Sequence, residues 1–183
     1  MNKRIIFFGT PEFASTCLLK LLENKFELVA VVTAPDKPSG RGKKITSSAV
    51  KKLAKENKLK IFQPTNLKDP NFIDELKTLK PDLIVVVAFR VLPKVVWSIP
   101  SEGTFNLHAS LLPNYRGAAP INWVIINQEK ITGVTTFLIN EKIDSGEILL
   151  QQELEINSND DAGSLHNKLS KIGSELVCDT ING

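Results

Sequence analysis

A series of unbroken apolar runs, each followed by a helix-like pattern, most constrains the fold of this chain. The run RIIFFG at residues 4–9 ends in glycine, with Thr10 as the expected N-cap and Pro11 in the first turn of a helix. The alternation continues with predicted strands at 28–33, 60–62 and 83–87 and predicted helices at 48–57 and 71–79. Strands buried on both faces are continuously apolar, as LIVVV at 83–87 is. The first half is therefore predicted to be α/β: a Rossmann-like doubly wound, mostly parallel sheet with helices on both faces.

The pattern changes after residue 87, where a long loop interrupts shorter elements. Residues 109–120 contain Pro113, Gly117 and Pro120 and are predicted to form this loop. Loops of this length inside a compact domain are usually functional. The remaining predicted elements are a short helix at 93–97, strands at 103–108, 134–139 and 147–155, and helices at 121–127 and 162–181. A chain of 183 residues fits one catalytic domain.

Composition and motifs argue against several functional classes. With 42% hydrophobic and 23% charged residues, and no apolar run near the roughly 18 residues that span a bilayer, the chain is predicted to be cytoplasmic and to have no membrane partner. The turn after the first run reads GTPEFA instead of G-x-G-x-x-G, so NAD is not expected. GRGKK at 40–44 lacks the spacing of a P-loop, so ATP hydrolysis is not expected either.

The cysteines and histidines give no sign of a metal site. Cys17 and Cys178 lie among apolar residues without a CxxC pair, and both are predicted to be buried. His108 and His166 are far apart in the sequence, and neither has another plausible ligand beside it. No metal is therefore expected.

The positive charge of the chain is concentrated in one segment. Nine of the 23 basic residues and one of the 20 acidic residues lie in 37–60, which gives this segment a net charge of +8 and the rest of the chain −5. The nine are Lys37, Arg41, Lys43, Lys44, Lys51, Lys52, Lys55, Lys58 and Lys60. A polyanionic partner is predicted to dock on this basic segment, although a charge run is often only a solvated face.

The segment TFNLH at 104–108 carries the clearest chemical pattern. The two-residue period of a strand places Thr104, Asn106 and His108 on one face. These polar groups lie near the carboxyl end of the strand, where doubly wound folds bind their ligands. A structural alternative is a histidine satisfied by a loop carbonyl and an asparagine that begins a turn.

Asp144, in the turn-like triplet Asp144-Ser145-Gly146, completes a coherent set of groups. By itself this triplet is first of all a turn sequence. Together with an amide and an imidazole, however, the carboxylate suits acyl transfer to an amine. That reaction needs donors for a developing oxyanion and groups that orient the imidazole and accept protons.

Several motifs resemble those of the methionyl-tRNA formyltransferase family over nearly the whole chain. They are Asn106-x-His108, SLLPNYRGAAP at 110–120, Asp144-x-Gly146, FGTPEFA at 8–14, KPSGRGKK at 37–44 and VAFRVLP at 87–93. The motifs at 8–14 and 37–44 separate this family from relatives that formylate glycinamide ribonucleotide or amino sugars. Two segments depart from the usual family pattern: Phe89-Arg90 stands where Tyr-Gly is common, and Lys142-Ile143-Asp144-Ser145-Gly146 stands where Gly-Leu-Asp-Thr-Gly is expected.

The resemblance implies a transfer of the formyl group of 10-formyltetrahydrofolate to the α-amino group of methionyl-initiator tRNA, for translation initiation. Asn106 and His108 would stabilise the oxyanion, while Asp144 would orient His108 and move protons. The implied donor-binding residues are Phe89, Arg90, Val91, Leu92, Ser110, Leu111, Leu112 and Pro113. The implied tRNA-binding residues are Phe13, Arg41, Gly42, Lys43 and Lys44.

The family also has a C-terminal β-barrel domain that assists tRNA binding, and it is expected to lie outside residues 1–183. No metal and no obligate protein partner are implied. One alternative is another folate-dependent formyltransferase or hydrolase with a small-molecule acceptor, which would not need the basic segment. A second alternative is a tRNA-binding module without catalysis, which would not need the three catalytic side chains.

Overall fold

The computed structural model describes residues 3–39 and 44–183 of the chain. Its strands are β1 (Arg4–Gly9), β2 (Glu27–Val32), β3 (Lys37–Ser39), β4 (Lys44–Thr46), β5 (Ile61–Phe62), β6 (Leu83–Val87), β7 (Thr104–His108), β8 (Ile131–Leu138) and β9 (Ile148–Glu155). Its helices are α1 (Glu12–Glu23), α2 (Ala49–Glu56), α3 (Pro70–Thr78), α4 (Lys94–Trp97), α5 (Pro120–Ile126) and α6 (Ala162–Asn182).

Seven of the strands form one sheet in the order β5-β2-β1-β6-β7-β8-β9. The strands from β5 to β7 are parallel, and β8 and β9 continue the sheet in antiparallel pairing. The connections between the parallel strands include helices, as the alternating sequence pattern predicted. The doubly wound, mostly parallel α/β fold is therefore confirmed.

The central strand β6 shows why the apolar runs are unbroken. Val85 and Val87 belong to one buried layer, which includes residues of α1 and α6, while Ile84 and Val86 belong to a second layer with residues of α3. Both faces of the strand are covered, so neither tolerates polar side chains. Cys17 and Cys178 are buried in the first layer, as predicted.

Two details of the sequence prediction were wrong, because contacts distant in sequence decide them. The N-cap of α1 is Pro11 and not Thr10, whose hydroxyl instead accepts a hydrogen bond from the Ala34 amide at 3.3 Å, in the loop after β2. The strand β8 starts at Ile131 instead of residue 134. Its early part includes Gly133, where a side chain would lie 2.2 Å from the Gln152 carbonyl oxygen.

The sequence also gave no sign of the antiparallel hairpin formed by β3 and β4. Lys37 pairs with Thr46, and Ser39 pairs with Lys44. The hairpin follows the carboxyl end of β2, at the sheet edge where the other parallel strands also end. Among the described residues, no helix is long and apolar enough to cross a membrane.

Candidate active site

The strand β7 presents two polar side chains from the middle of the sheet. Phe105 and Leu107 are buried in the core layer that contains α1 and α6. Asn106 and His108 alternate with them and line cavities at the carboxyl end of the parallel strands. The strand period therefore predicted correctly which residues share a face.

Two cavities meet beside these side chains. The larger has a volume of about 690 Å³ and contains His108 in its wall, and the smaller has about 290 Å³. Both are lined by Phe89, Arg90, Val91, Asn106, Ile143 and Asp144. Asn106 and Asp144 thus stand where the contents of one cavity can reach the contents of the other.

His108 contacts two groups through its two ring nitrogens. Its Nε2 lies 2.8 Å from the carbonyl oxygen of Tyr115, and its Nδ1 lies 3.7 Å from Oδ2 of Asp144. The side chains of His108 and Asp144 are 9% and 14% exposed. The distance to Asp144 exceeds that of a hydrogen bond, so the two groups form an ion pair when the imidazole is protonated.

Asp144 is placed by a strained turn between β8 and β9. Its backbone has a φ of +46°, and its Oδ2 accepts a hydrogen bond from the Gly117 amide at 2.7 Å. At Gly146 a side chain would lie 1.6 Å from the Leu138 carbonyl oxygen, so the turn packs on the end of β8 more closely than any other residue allows. The sequence motif Asp144-x-Gly146 therefore has a steric cause.

Hydrogen bonds from side chains of the antiparallel strands β8 and β9 hold the loop of residues 109–119. The buried hydroxyl of Thr135 donates to the Ser110 carbonyl at 2.7 Å and accepts from the Leu112 amide at 3.1 Å. Gln151 adds a bond from its side-chain amide to the Leu112 carbonyl at 2.9 Å. Sequence reasoning singled out neither Thr135 nor Gln151, because a threonine and a glutamine in strands carry no distinctive pattern.

Comparison with known proteins identifies the family. The family model described as formyl transferase matches residues 3–181. The chain belongs to the formyl transferase family. A methionyl-tRNA formyltransferase from Flavobacterium johnsoniae is 59% identical over 178 residues, which are 97% of this chain and 56% of that protein. The chain thus spans little more than half the length of this curated relative.

Solved structures of formyl transferases share the fold. The crystal structure of phosphoribosylglycinamide formyltransferase from Bacillus halodurans has a TM-score of 0.80 at 21% identity, covering 98% of this chain and 93% of that one. WlaRD, a sugar 3N-formyl transferase crystallised in the presence of dTDP and 5-N-formyl-THF, has a TM-score of 0.73 at 26% identity. That match covers all of this chain and 64% of WlaRD.

The predicted donor-binding residues fall into two groups. Phe89, Arg90 and Val91 line both cavities, and Leu92 lines the smaller one. The second group comprises Ser110, Leu111, Leu112 and Pro113, and it lines neither cavity. Because Ser110 and Leu112 are buried against β8, donor binding by this second group stays a prediction that these contacts do not support.

The guanidinium of Arg90 is held by hydrogen bonds at the edge of the cavities. Its guanidinium donates to the carbonyl oxygens of Pro64 and Thr65, the latter at 3.1 Å. An ion pair joins Lys94 to Glu141 at 2.8 Å, and both residues line the smaller cavity. The hydrogen bond from Lys94 holds the pKa of the Glu141 carboxyl below its usual range. The unusual Arg90 is therefore accommodated by loop carbonyls outside the sheet.

The predicted tRNA-binding residues are only partly described. Phe13 is buried and lines the larger cavity, with its ring 5.4 Å from that of His166. Arg41, Gly42 and Lys43 lie outside the described residues, and Lys44 is the first residue of β4.

Two of the basic residues in segment 37–60 are already paired. Lys51 binds Asp36 at 2.5 Å, and Lys60 binds Glu75 at 3.3 Å. The hydrogen bonds from Lys51 and Gln63 lower the pKa of the Asp36 carboxyl. Asp36 directly precedes β3 and Lys51 belongs to α2, so this ion pair connects α2 to the start of the hairpin.

Within the described parts of the chain, no group of three or more histidine, cysteine or acidic residues could hold a metal ion.

Proposed function

We propose that this chain transfers the formyl group of 10-formyltetrahydrofolate to the α-amino group of methionyl-initiator tRNA, in the cytoplasm. The observation that carries this proposal is the meeting of two cavities at Asn106 and Asp144. A group transfer between two large substrates needs such a junction, where both reacting atoms come within bonding distance. The identity with a methionyl-tRNA formyltransferase supports the acceptor.

The smaller cavity suits the donor. Its walls include Val86, Leu92, Trp97, Phe137 and Ile139. The same cavity is also lined by charged and amide side chains, among them Lys94, Glu141 and Asp144, so it offers both apolar area and polar partners to a heterocycle. In this arrangement the formyl group points toward Asn106, and the larger cavity receives the amine.

The chemistry follows from the groups at the junction. The amine nitrogen forms a bond to the formyl carbon, and the carbonyl oxygen becomes an oxyanion. The side chain of Asn106 makes no hydrogen bond within the described residues, so its amide is available as a donor to that oxygen.

Proton transfer completes the reaction. The attacking amine loses a proton, and the bond between the formyl carbon and the donor nitrogen breaks as that nitrogen gains one. His108 and Asp144 lie 3.7 Å apart beside the junction and can carry a proton between the two nitrogens. The protonated imidazole would add a second donor to the oxyanion, stabilised by the Asp144 carboxylate. No metal and no protein partner are needed in this scheme.

The basic segment favours a nucleic acid over a small amine as the acceptor. Its net charge of +8 contrasts with −5 for the remaining residues, and part of it follows β2 at the same sheet edge as the cavities. Phosphate groups at the acceptor end of a tRNA would bind there without sequence readout. Glycinamide ribonucleotide or an amino sugar would leave most of this charge without a partner.

Two parallel transfer assays, one with each acceptor, test the proposal directly. The protein is incubated with radiolabelled 10-formyltetrahydrofolate and either methionyl-initiator tRNA or glycinamide ribonucleotide, and label transfer is followed. We expect transfer to the tRNA, and we expect the His108→Ala variant to abolish most of it. Transfer to the small amine alone would assign the chain to the other branch of the family.

A further inference from the structure

One short loop segment contacts both catalytic side chains through its backbone. The carbonyl oxygen of Tyr115 lies 2.8 Å from Nε2 of His108, and the amide of Gly117 donates to Asp144 at 2.7 Å. The relative position of the imidazole and the carboxylate therefore depends on how residues 115–117 are held.

The side chain of Tyr115 fastens this segment to the end of α5. Its phenol donates to Oε1 of Glu129 and accepts from Nδ2 of Asn127 at 3.0 Å. The hydrogen bond to Glu129 raises the pKa of the phenol. Tyr115 also has a φ of +56°, a conformation that aromatic residues rarely adopt unless other contacts impose it. We call these three side chains, Tyr115, Asn127 and Glu129, the phenol clamp.

The carbonyl contact decides which imidazole nitrogen can react. Both the Tyr115 carbonyl and the Asp144 carboxylate can only accept a hydrogen bond, but only the carbonyl lies within hydrogen-bond distance of the ring, at 2.8 Å against 3.7 Å, so the contacts favour the tautomer of His108 with its proton on Nε2. The lone pair of the neutral ring is then on Nδ1, which faces Asp144.

We propose that Tyr115 is a positioning residue: its carbonyl fixes Nδ1 as the working nitrogen of His108, and the phenol clamp holds that carbonyl in place. A proton that His108 accepts during formyl transfer is thus taken up at Nδ1, beside Asp144. This inference rests on the proposed function for its catalytic meaning, but its structural content is independent of which amine is the acceptor.

Nitrogen NMR of the histidine rings tests the inference without any substrate. The chain has two histidines, so a His166→Gln variant assigns the signals of His108 in protein labelled with ¹⁵N-histidine. At a pH where the rings are neutral, we expect the shifts of His108 to show a protonated Nε2. In Tyr115→Phe, which keeps the ring but removes the hydroxyl, we expect the signals to move toward a mixture of the two tautomers.

Variants of Glu129 provide a second, milder perturbation. Glu129→Gln retains an oxygen that can accept from the phenol, so the tautomer should stay as in the wild type. Glu129→Leu removes the acceptor and should act like Tyr115→Phe. Glu75→Leu is the matched control, because Glu75 is an exposed acid on α3 whose partner is Lys60.

Steady-state kinetics connect the tautomer to catalysis. We expect Tyr115→Phe to lower kcat about five- to tenfold with little change in the KM for the donor, because the wrong tautomer impairs proton transfer and not binding. A wild-type His108 with its proton on Nδ1, or a Tyr115→Phe protein with unchanged tautomer and kcat, would overturn the inference. A protein with the expected tautomers but no formyl transfer to tRNA would refute the proposed function alone.

Discussion

The proposed catalytic side chains are placed in two different ways, by a strand and by a turn. Asn106 and His108 belong to β7, which is hydrogen-bonded to β6 on one side and to β8 on the other. Asp144 belongs to an irregular turn and relies on the Gly117 amide and on the close packing of Gly146. The strand fixes its side chains through the register of the whole sheet, whereas the turn depends on a few local contacts.

This difference has a consequence for mutations. Replacing a proposed catalytic side chain on the strand removes a chemical group but leaves the backbone hydrogen bonds of the sheet intact. The turn can fail without any change to Asp144 itself, because residues such as Gly146 determine where the carboxylate lies. Substitutions in the turn should therefore lower both activity and stability, whereas substitutions of the side chains on the strand should lower activity alone.

The largest effect is expected from the strand-borne groups. Asn106→Ala and His108→Ala should each lower kcat about a hundredfold or more, since each removes a group that acts on the developing charge or its protons. Thermal unfolding should change little, because neither side chain contributes to the two core layers. The control Asn71→Ala, an exposed position on α3, should leave kcat unchanged. Near wild-type turnover in either site variant would refute the assignment of that residue.

Asp144→Asn isolates the charge of the turn-borne group. The amide oxygen can still accept from Gly117, so the turn should keep its shape, while the ion pair with His108 is lost. We expect kcat to fall about 30-fold with nearly unchanged KM values, less than the roughly 10²- to 10⁴-fold of a complete general acid–base contribution, because His108 remains in place. Single-turnover formyl transfer and donor titration separate the two parameters. An unaltered kcat would remove Asp144 from the proton path.

Gly146→Ala tests the turn without touching a catalytic group. The new methyl would meet the Leu138 carbonyl oxygen at 1.6 Å, so the backbone must move and carry Asp144 with it. We expect about a tenfold loss of kcat and a destabilisation of about 1–3 kcal/mol, as for other overpacked sites. The matched control is Gly163→Ala in α6, where the nearest atom is 3.4 Å away and no loss is expected. Full activity in Gly146→Ala would show that the turn tolerates displacement.

The same difference between strand and turn explains what could be predicted from the sequence. The pattern of β7 predicted that Asn106 and His108 share a face, because strand geometry allows no other arrangement. Nothing in the triplet at 144–146 fixes where a turn points, so Asp144 was singled out only because its carboxylate complements the amide and the imidazole, and because the family resemblance implies it. The partners of the two groups, the Tyr115 carbonyl and the Gly117 amide, are backbone atoms and have no sequence signature.

Local sequence was misleading where distant contacts act. Thr10 has the chemistry of an N-cap, but its hydroxyl is used by the loop after β2. The residues of β3 and β4 include lysine, proline and serine, which are poor indicators of strands, and their pairing with each other is what makes them a hairpin. In the long loop, the donor-binding role that the resemblance implies for Ser110 stays a prediction, and its hydroxyl bonds to the Asn114 carbonyl at 2.7 Å.

The smallest effect on the chemical step is expected from the basic segment, which contributes charge and not geometry. Arg41, Lys43 and Lys44 flank or follow Gly40 and Gly42 and are proposed to bind phosphates of the acceptor tRNA. Replacing all three by alanine should weaken tRNA binding and flatten its dependence on salt by up to about 2 units of log K against log salt, since each phosphate contact releases about 0.7 counterion from a single strand. The kcat at saturating tRNA and the affinity for the donor should remain those of the wild type.

As a matched control, alanine at Lys3, Lys20 and Lys171, which lie outside the basic segment, removes the same charge and should leave the salt slope unchanged. If the first variant kept its tRNA affinity and salt slope, these three cations would be a solvated surface, and the preference for a nucleic acid over a small amine would lose its main electrostatic support.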